Sequence, residues 1–122
     1  SGALSGDKAE AWQEKLEDEE KVRQMRQKAE GGKAAAIFNM GCWYLMGKNG
    51  LREDLAEAFR WFQRSADAGD EDGLASLGQC YLRGWGVEEN KVVGRNYLTA
   101  GAERGSFFGC FNDQPCLIQS HI

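Results

Sequence analysis

Ala36-Ile-Phe-Asn-Met-Gly41-Cys-Trp-Tyr44-Leu-Met-Gly47 returns 37 residues later as Gly73-Leu-Ala-Ser-Leu-Gly78-Gln-Cys-Tyr81-Leu-Arg-Gly84. After one extra residue in the first connecting loop, Asp54, Ala58, Trp61, Phe62, Ala66 and Gly69 match Asn90, Gly94, Tyr97, Leu98, Ala102 and Gly105 at an offset of 36. Two tandem units, residues 36 to 69 and 73 to 105, therefore decide the fold. Self-similarity at a period of roughly 20 to 50 residues marks stacked supersecondary units, none of which buries its apolar face alone.

Each unit divides into two helices. Ala36, Met40 and Tyr44, then Gly73, Leu77 and Tyr81, recur every four residues, which places each set on one side of a helix. Gly41 and Gly78 fall inside these first helices, where Gly costs about 1 kcal/mol relative to Ala. The spacing predicts a tight helix crossing there. Gly47 and Gly84 supply the left-handed conformation that ends the first helix, and Leu51 and Val87 follow as apolar plugs under the turn. Asp54 and Asn90 are N-cap residues for the second helices. These bury Ala58, Trp61, Phe62, Ser65 and Ala66 in one unit and Gly94, Tyr97, Leu98, Gly101 and Ala102 in the other. Arg60, Arg64, Lys91 and Arg95 fall outside those stripes and read as solvated.

The flanks differ from the middle. Residues 8 to 30 hold 13 charges of mixed sign, with Val22, Met25 and Ala29 in the register of Phe59, Phe62 and Ala66. This predicts a capping helix, a second helix without its first, extended toward the N-terminus. Trp12 and Leu16 continue its apolar stripe until Glu17 to Lys21 interrupts it, which argues against a long coiled coil. Ser106 to Phe111 begins as a third first helix would. Asp113, Gln114 and Pro115 then break the pattern. The expected organisation is residues 1–31 as a charged cap, 32–69 and 70–105 as repeats, and 106–122 as a partial third repeat or apolar tail.

Composition excludes several functions. With 42% apolar residues and 28% charged, a chain of 122 residues can bury a modest core without a metal or a disulfide framework. A net charge of −4, with 15 Lys and Arg spread along the chain, leaves no phosphate-neutralising stripe, so nucleic acid is not the expected partner. The longest apolar candidate, Ala34 to Met46, is interrupted by Asn39 and Gly41 and falls short of a membrane span. The start at Ser1-Gly2-Ala3 without Met reads as a processed product or a fragment. Cys42, Cys80, Cys110 and Cys116 form no CxxC pair, and four reduced thiols in a reducing compartment are the first expectation. A bridge between Cys110 and Cys116, across Asn112-Asp113-Gln114-Pro115, stays open as an alternative.

Catalysis finds little material. His121 is the only histidine and lies at the C-terminal end, so no Ser-His-Asp arrangement or His-based metal site can be assembled. Glu17 to Glu20 and Asp70 to Asp72 read as solvated surface runs. A calcium loop aligned on Gly73 would have Ala68 and Gln79 at its two ends, where carboxylates are required. Gly84-Trp85-Gly86 lacks the third glycine and preceding strand of a dinucleotide loop. No cofactor is expected. A thiol-dependent redox role for Cys110 or Cys116 is an alternative of another class, although no Lys or Arg lies nearer in sequence than Arg104.

Leu77-Gly78, Tyr81, Gly84, Gly86-Val87, Lys91, Tyr97, Ala102 and Gly105 resemble the signature of Sel1-like repeats, solenoid relatives of tetratricopeptide repeats. Met40-Gly41, Tyr44, Gly47, Gly50-Leu51, Asp54, Ala58, Trp61-Phe62, Ala66 and Gly69 resemble it as closely. The departures are Gly73 and Gly94, where the family commonly has Ala, and the insertion around Lys48-Asn49. The resemblance implies an all-α fold, a short right-handed α-α superhelix, and a scaffold or adaptor that holds a partner protein in the concave groove of its first helices. Carrying the related register over implies groove residues Phe38, Asn39, Cys42, Met46, Ala75, Ser76, Gln79 and Arg83. The alternative is that Phe38 and Met46 are occupied by packing against the N-terminal helix.

A second expectation lies at the C-terminal end. Phe107, Phe108, Phe111, Leu117, Ile118 and Ile122 fall in the last 16 residues, with Asp113 the one carboxylate. A terminal repeat needs a polar outer face to stand alone. This composition points to a subunit docked in a larger assembly through Phe107, Phe108, Phe111, Leu117 and Ile118. Folding of the tail back over the second repeat is the alternative.

Overall fold

A computed structural model describes residues 6 to 106, with side chains from residue 8. Five helices run in order, α1 (Gly6–Glu30), α2 (Ala34–Met46), α3 (Leu55–Asp67), α4 (Glu71–Arg83) and α5 (Lys91–Glu103), with no strand among the described residues. Each helix packs chiefly on the next, so the chain builds an all-α solenoid of two hairpins, α2–α3 and α4–α5, behind α1. The predicted stops are in place. Gly47 and Gly84 take φ of 65° and 71° and close the first helices, a region in which a Cβ is strained. The Asp54 carboxylate accepts from the Glu57 N–H at 3.0 Å, and the Asn90 side-chain oxygen accepts from the Val93 N–H at 3.1 Å.

The helix crossings form where glycine interrupts the first helices. A Cβ on Gly41 would lie 2.6 Å from the Phe62 ring, and one on Gly78 would lie 2.8 Å from the Gly94 carbonyl oxygen and 2.9 Å from Leu98. The family departures have a local cause. A Cβ on Gly94 would meet Leu82 at 2.8 Å, and one on Gly73 would collide with the Ser65 hydroxyl.

Two apolar clusters run through the stack. Ala29, Ala36, Ile37, Met40 and Trp61 join α1 to the first hairpin. Cys42, Leu45, Ala58, Phe62, Leu77 and Cys80 join the two hairpins. Arg26 reinforces the first junction by donating to the Tyr44 hydroxyl at 2.9 Å. Arg64 is exposed, as expected, and from the surface its guanidinium lies 4.4 Å from the centre of the Trp61 ring.

Two expectations are corrected. Trp12 and Leu16 do not continue a buried stripe: they are 55% and 56% exposed, because α1 runs on past the body of the solenoid. The Asp70–Asp72 run is not simply solvated. Asp70 caps α4 by accepting from the Gly73 N–H at 2.8 Å, and Asp72 accepts from the Ser106 hydroxyl at 2.7 Å. Burial pushes the Asp70 carboxyl above its ordinary value, and the Gly73 hydrogen bond offsets part of that.

Candidate functional site

The faces of α4 are assigned by what they touch. Ala75, Gly78 and Leu82 meet α5, while Gly73 meets Ser65 and Tyr81 meets the Phe59 ring of α3. Leu77 and Cys80 fill the cluster around Phe62. What remains is one stripe at helical spacing, Asp72, Ser76, Gln79 and Arg83. In α2 the same bookkeeping assigns Phe38, Gly41 and Leu45 to the α3 side and Ala36, Ile37, Met40 and Tyr44 to the α1 side. The corresponding positions are Ala35, Asn39, Cys42 and Met46, of which Asn39 donates to the Met25 sulfur of α1 at 4.0 Å while Cys42 and Met46 share the cluster around Phe62. The two stripes occupy the same side of the stack, one repeat apart.

Six of the eight groove residues expected from sequence, Asn39, Cys42, Met46, Ser76, Gln79 and Arg83, therefore lie on this face. Phe38 and Ala75 lie off it. The Phe38 ring packs 6.0 Å from that of Phe62, and Ala75 is fully buried beside Gly101. Phe38 is thus occupied by its own hairpin, not by the N-terminal helix. Cys42 and Ser76 are 6% and 3% exposed, which leaves Asn39, Met46, Gln79 and Arg83 as the accessible members.

Arg83 is preorganised. Its Nε donates to the Gln79 side-chain oxygen at 3.0 Å and its guanidinium lies 5.1 Å from the centre of the Trp85 ring. Both contacts fix the plane of a fork whose remaining N–H groups can donate to a carboxylate or carbonyl. The repeat pattern alone does not point to Trp85, which lies in the turn after α4. Its signal was its position, two residues after an exposed Arg at a helix end.

The cysteines depart from the expected four thiols. Cys42 is disulfide-bonded, while Cys80 is free and fully buried. Burial pushes the Cys80 thiol up to about 12, so it is inert rather than nucleophilic. The disulfide also removes the basis for placing the chain in a reducing compartment, since such bonds persist in oxidising ones. Cys110, Cys116, His121 and the apolar set Phe107, Phe108, Phe111, Leu117 and Ile118 lie outside the described residues. Among the described residues no three His, Cys, Asp or Glu side chains form a metal-binding group, and no helix is long and apolar enough to cross a membrane. The face is built for polar and apolar contact.

Comparison with known proteins agrees with this architecture. The Sel1 repeat family model matches residues 34–70 and 72–106. Two Arabidopsis thaliana proteins, the ERAD-associated E3 ubiquitin-protein ligase components HRD3A and HRD3B, are similar to the chain. HRD3A is 34% identical over 70 residues, 57% of this chain and 10% of that protein. HRD3B is 31% identical over 97 residues, 79% of this chain and 15% of that protein. The chain thus matches only a small part of either relative. A Sel1 repeat protein from Oxalobacter formigenes superposes with a TM-score of 0.65 at 32% identity, covering 71% of this chain and 35% of that one. With both hairpins matched in sequence and in structure, the chain belongs to the Sel1 repeat family.

Proposed function

We propose that this protein is a non-catalytic interaction scaffold that holds a segment of a partner protein across Asn39, Met46, Gln79 and Arg83. The observation that carries the reading is that these side chains share one side of α2 and α4 and stay at least partly exposed there, with Arg83 fully at the surface. Met46 offers a flexible apolar contact, which suits an adaptable binding surface. Gln79, Arg83 and Trp85 offer a fixed donor array beside an aromatic plane. A partner strand or helix placing an apolar side chain on Met46 and an acceptor on Arg83 meets both.

The organisation we propose is a cap over residues 1–31, repeats over 32–69 and 70–105, and a distinct segment over 106–122. The relatives are named as components of a ubiquitin ligase assembly, which supports membership of a multiprotein complex for this chain too. The Cys42 disulfide supports an oxidising compartment.

Affinity capture from the native source tests the reading. The stripe variant Met46→Glu with Arg83→Glu is expected to lose the partner while its helical circular dichroism stays that of the folded chain. If the folded stripe variant retains the partner, the groove reading is wrong.

A further inference from the structure

The N-terminal helix is longer than its role in the stack requires. Aligned on Met25 with Phe62 and Ala29 with Ala66, residues 18–30 of α1 correspond to the 13 residues of α3. The remaining 12 residues, about 18 Å of helix at 1.5 Å per residue, overhang the turn between α2 and α3. Under the overhang lies a cleft of about 500 Å³, with Ala11, Val22 and Leu51 as its apolar lining, Glu14, Asp18 and Glu19 as its acidic lining and Lys15, drawn over the Trp12 ring, as its one cation. Trp12 flanks it and is more than half exposed, while Leu16 lies on the far side of the helix with Gln13, Glu17 and Glu20.

The carboxylates of α1 are divided in their use. On the side away from the cleft, Glu17 accepts from Gln13, and Glu20 is held by Arg23 and Gln24. Glu14, Asp18 and Glu19, on the cleft side, make no hydrogen bond or ion pair among the described residues. Between residues 8 and 20 the helix carries six carboxylates against two lysines. That excess opposes pairing with a second copy, since like charges at close range are repulsive.

We propose that this cleft is a second docking surface, independent of the groove, for an amphipathic helix of a partner protein whose apolar ridge is flanked by Lys or Arg. The apolar ridge would cover Ala11, Val22 and Leu51. The flanking cations would lay their aliphatic stems along the apolar lining and carry their charge to Glu14, Asp18 and Glu19.

The test uses two fluorescein-labelled helical peptides of equal length, one built from Leu and Lys and one from Leu and Glu, read by fluorescence anisotropy on the full chain. The Lys peptide is expected to bind at least about tenfold more tightly than the Glu peptide, with the preference shrinking as salt approaches about 0.5 M. Glu14→Lys with Glu19→Lys should weaken the Lys peptide by about tenfold or more. Glu88→Lys with Glu89→Lys, the same change in net charge on the exposed α4–α5 turn, should weaken it less than about threefold. Equal loss from both pairs would reduce the effect to bulk charge and overturn the proposal. Equal binding of both peptides would also overturn it, as would a dimer in sedimentation that Ala11→Glu abolishes.

Discussion

In hairpin α2–α3 the Phe62 ring occupies the space that a Cβ on Gly41 would need, with the Phe38 ring tilted against it at 42°. In hairpin α4–α5 the same place is taken by the backbone of Gly94 and the nearest atoms of Leu98. One crossing is filled by side-chain rings and the other by close approach of main chains. Where the side chains are smaller the main chains approach more closely, so both crossings stay filled and two hairpins so different in side-chain size stack in register.

The largest expected effect sharpens this contrast. Phe62→Ala removes a fully buried ring that serves both hairpins, and should lower the unfolding free energy by about 3–5 kcal/mol in denaturant titration. Leu98→Ala should cost less, because its surroundings are mostly main chain and Ala75. A larger loss at Leu98 would break the comparison.

The glycines come next. Gly78→Ala forces a methyl group against the Gly94 carbonyl and the Leu98 amide, which cannot turn aside, at an expected cost of about 2 kcal/mol. Gly41→Ala meets only the edge of a ring, and the gain in helix propensity of about 1 kcal/mol offsets part of the strain. Its melting temperature should therefore fall less than that of Gly78→Ala.

Asp70 gives a smaller effect with a pH signature. Asp70→Ala removes the cap of α4 and should cost about 1 kcal/mol, whereas Asp70→Asn keeps an acceptor for the Gly73 N–H. Burial raises the carboxyl's pKa above its unfolded value of about 3.9. Its contribution is therefore full below that value and declines as pH rises through the folded one. Asp70→Asn should equal or exceed the parent in stability at pH 7, with the advantage vanishing below about pH 4. Thermal melts across that range check the sign.

The two cysteines should separate without any change in stability. Alkylation of the native, unreduced chain should label neither Cys42 nor Cys80. Reductant should expose Cys42, while Cys80, fully buried and pushed up to about 12, should react only after unfolding. Labelling of Cys42 before reduction would contradict its disulfide.

The repeat, both pairs of helix ends and the crossings were legible in sequence because glycine and capping residues act locally and recur. The groove was legible only in part. Phe38 and Ala75 are one position from the stripe, and on a helix one position is about 100° of rotation, enough to turn a side chain from the open face into its own hairpin. Asp70 was hidden in an acidic run because its capping role depends on where α4 starts, not on its neighbours. The cleft was not legible at all. It joins residues 11–22 to the turn at 49–51, and no spacing along the chain announces that meeting.

The central claim is that the open face of α2 and α4 is the partner site. Quantitative affinity capture with the parent, the stripe variant Met46→Glu with Arg83→Glu, and the cleft variant Glu14→Lys with Glu19→Lys addresses it most directly. The account predicts a partner protein retained by the parent and the cleft variant and lost by the folded stripe variant. Retention of every captured partner by the stripe variant would contradict it.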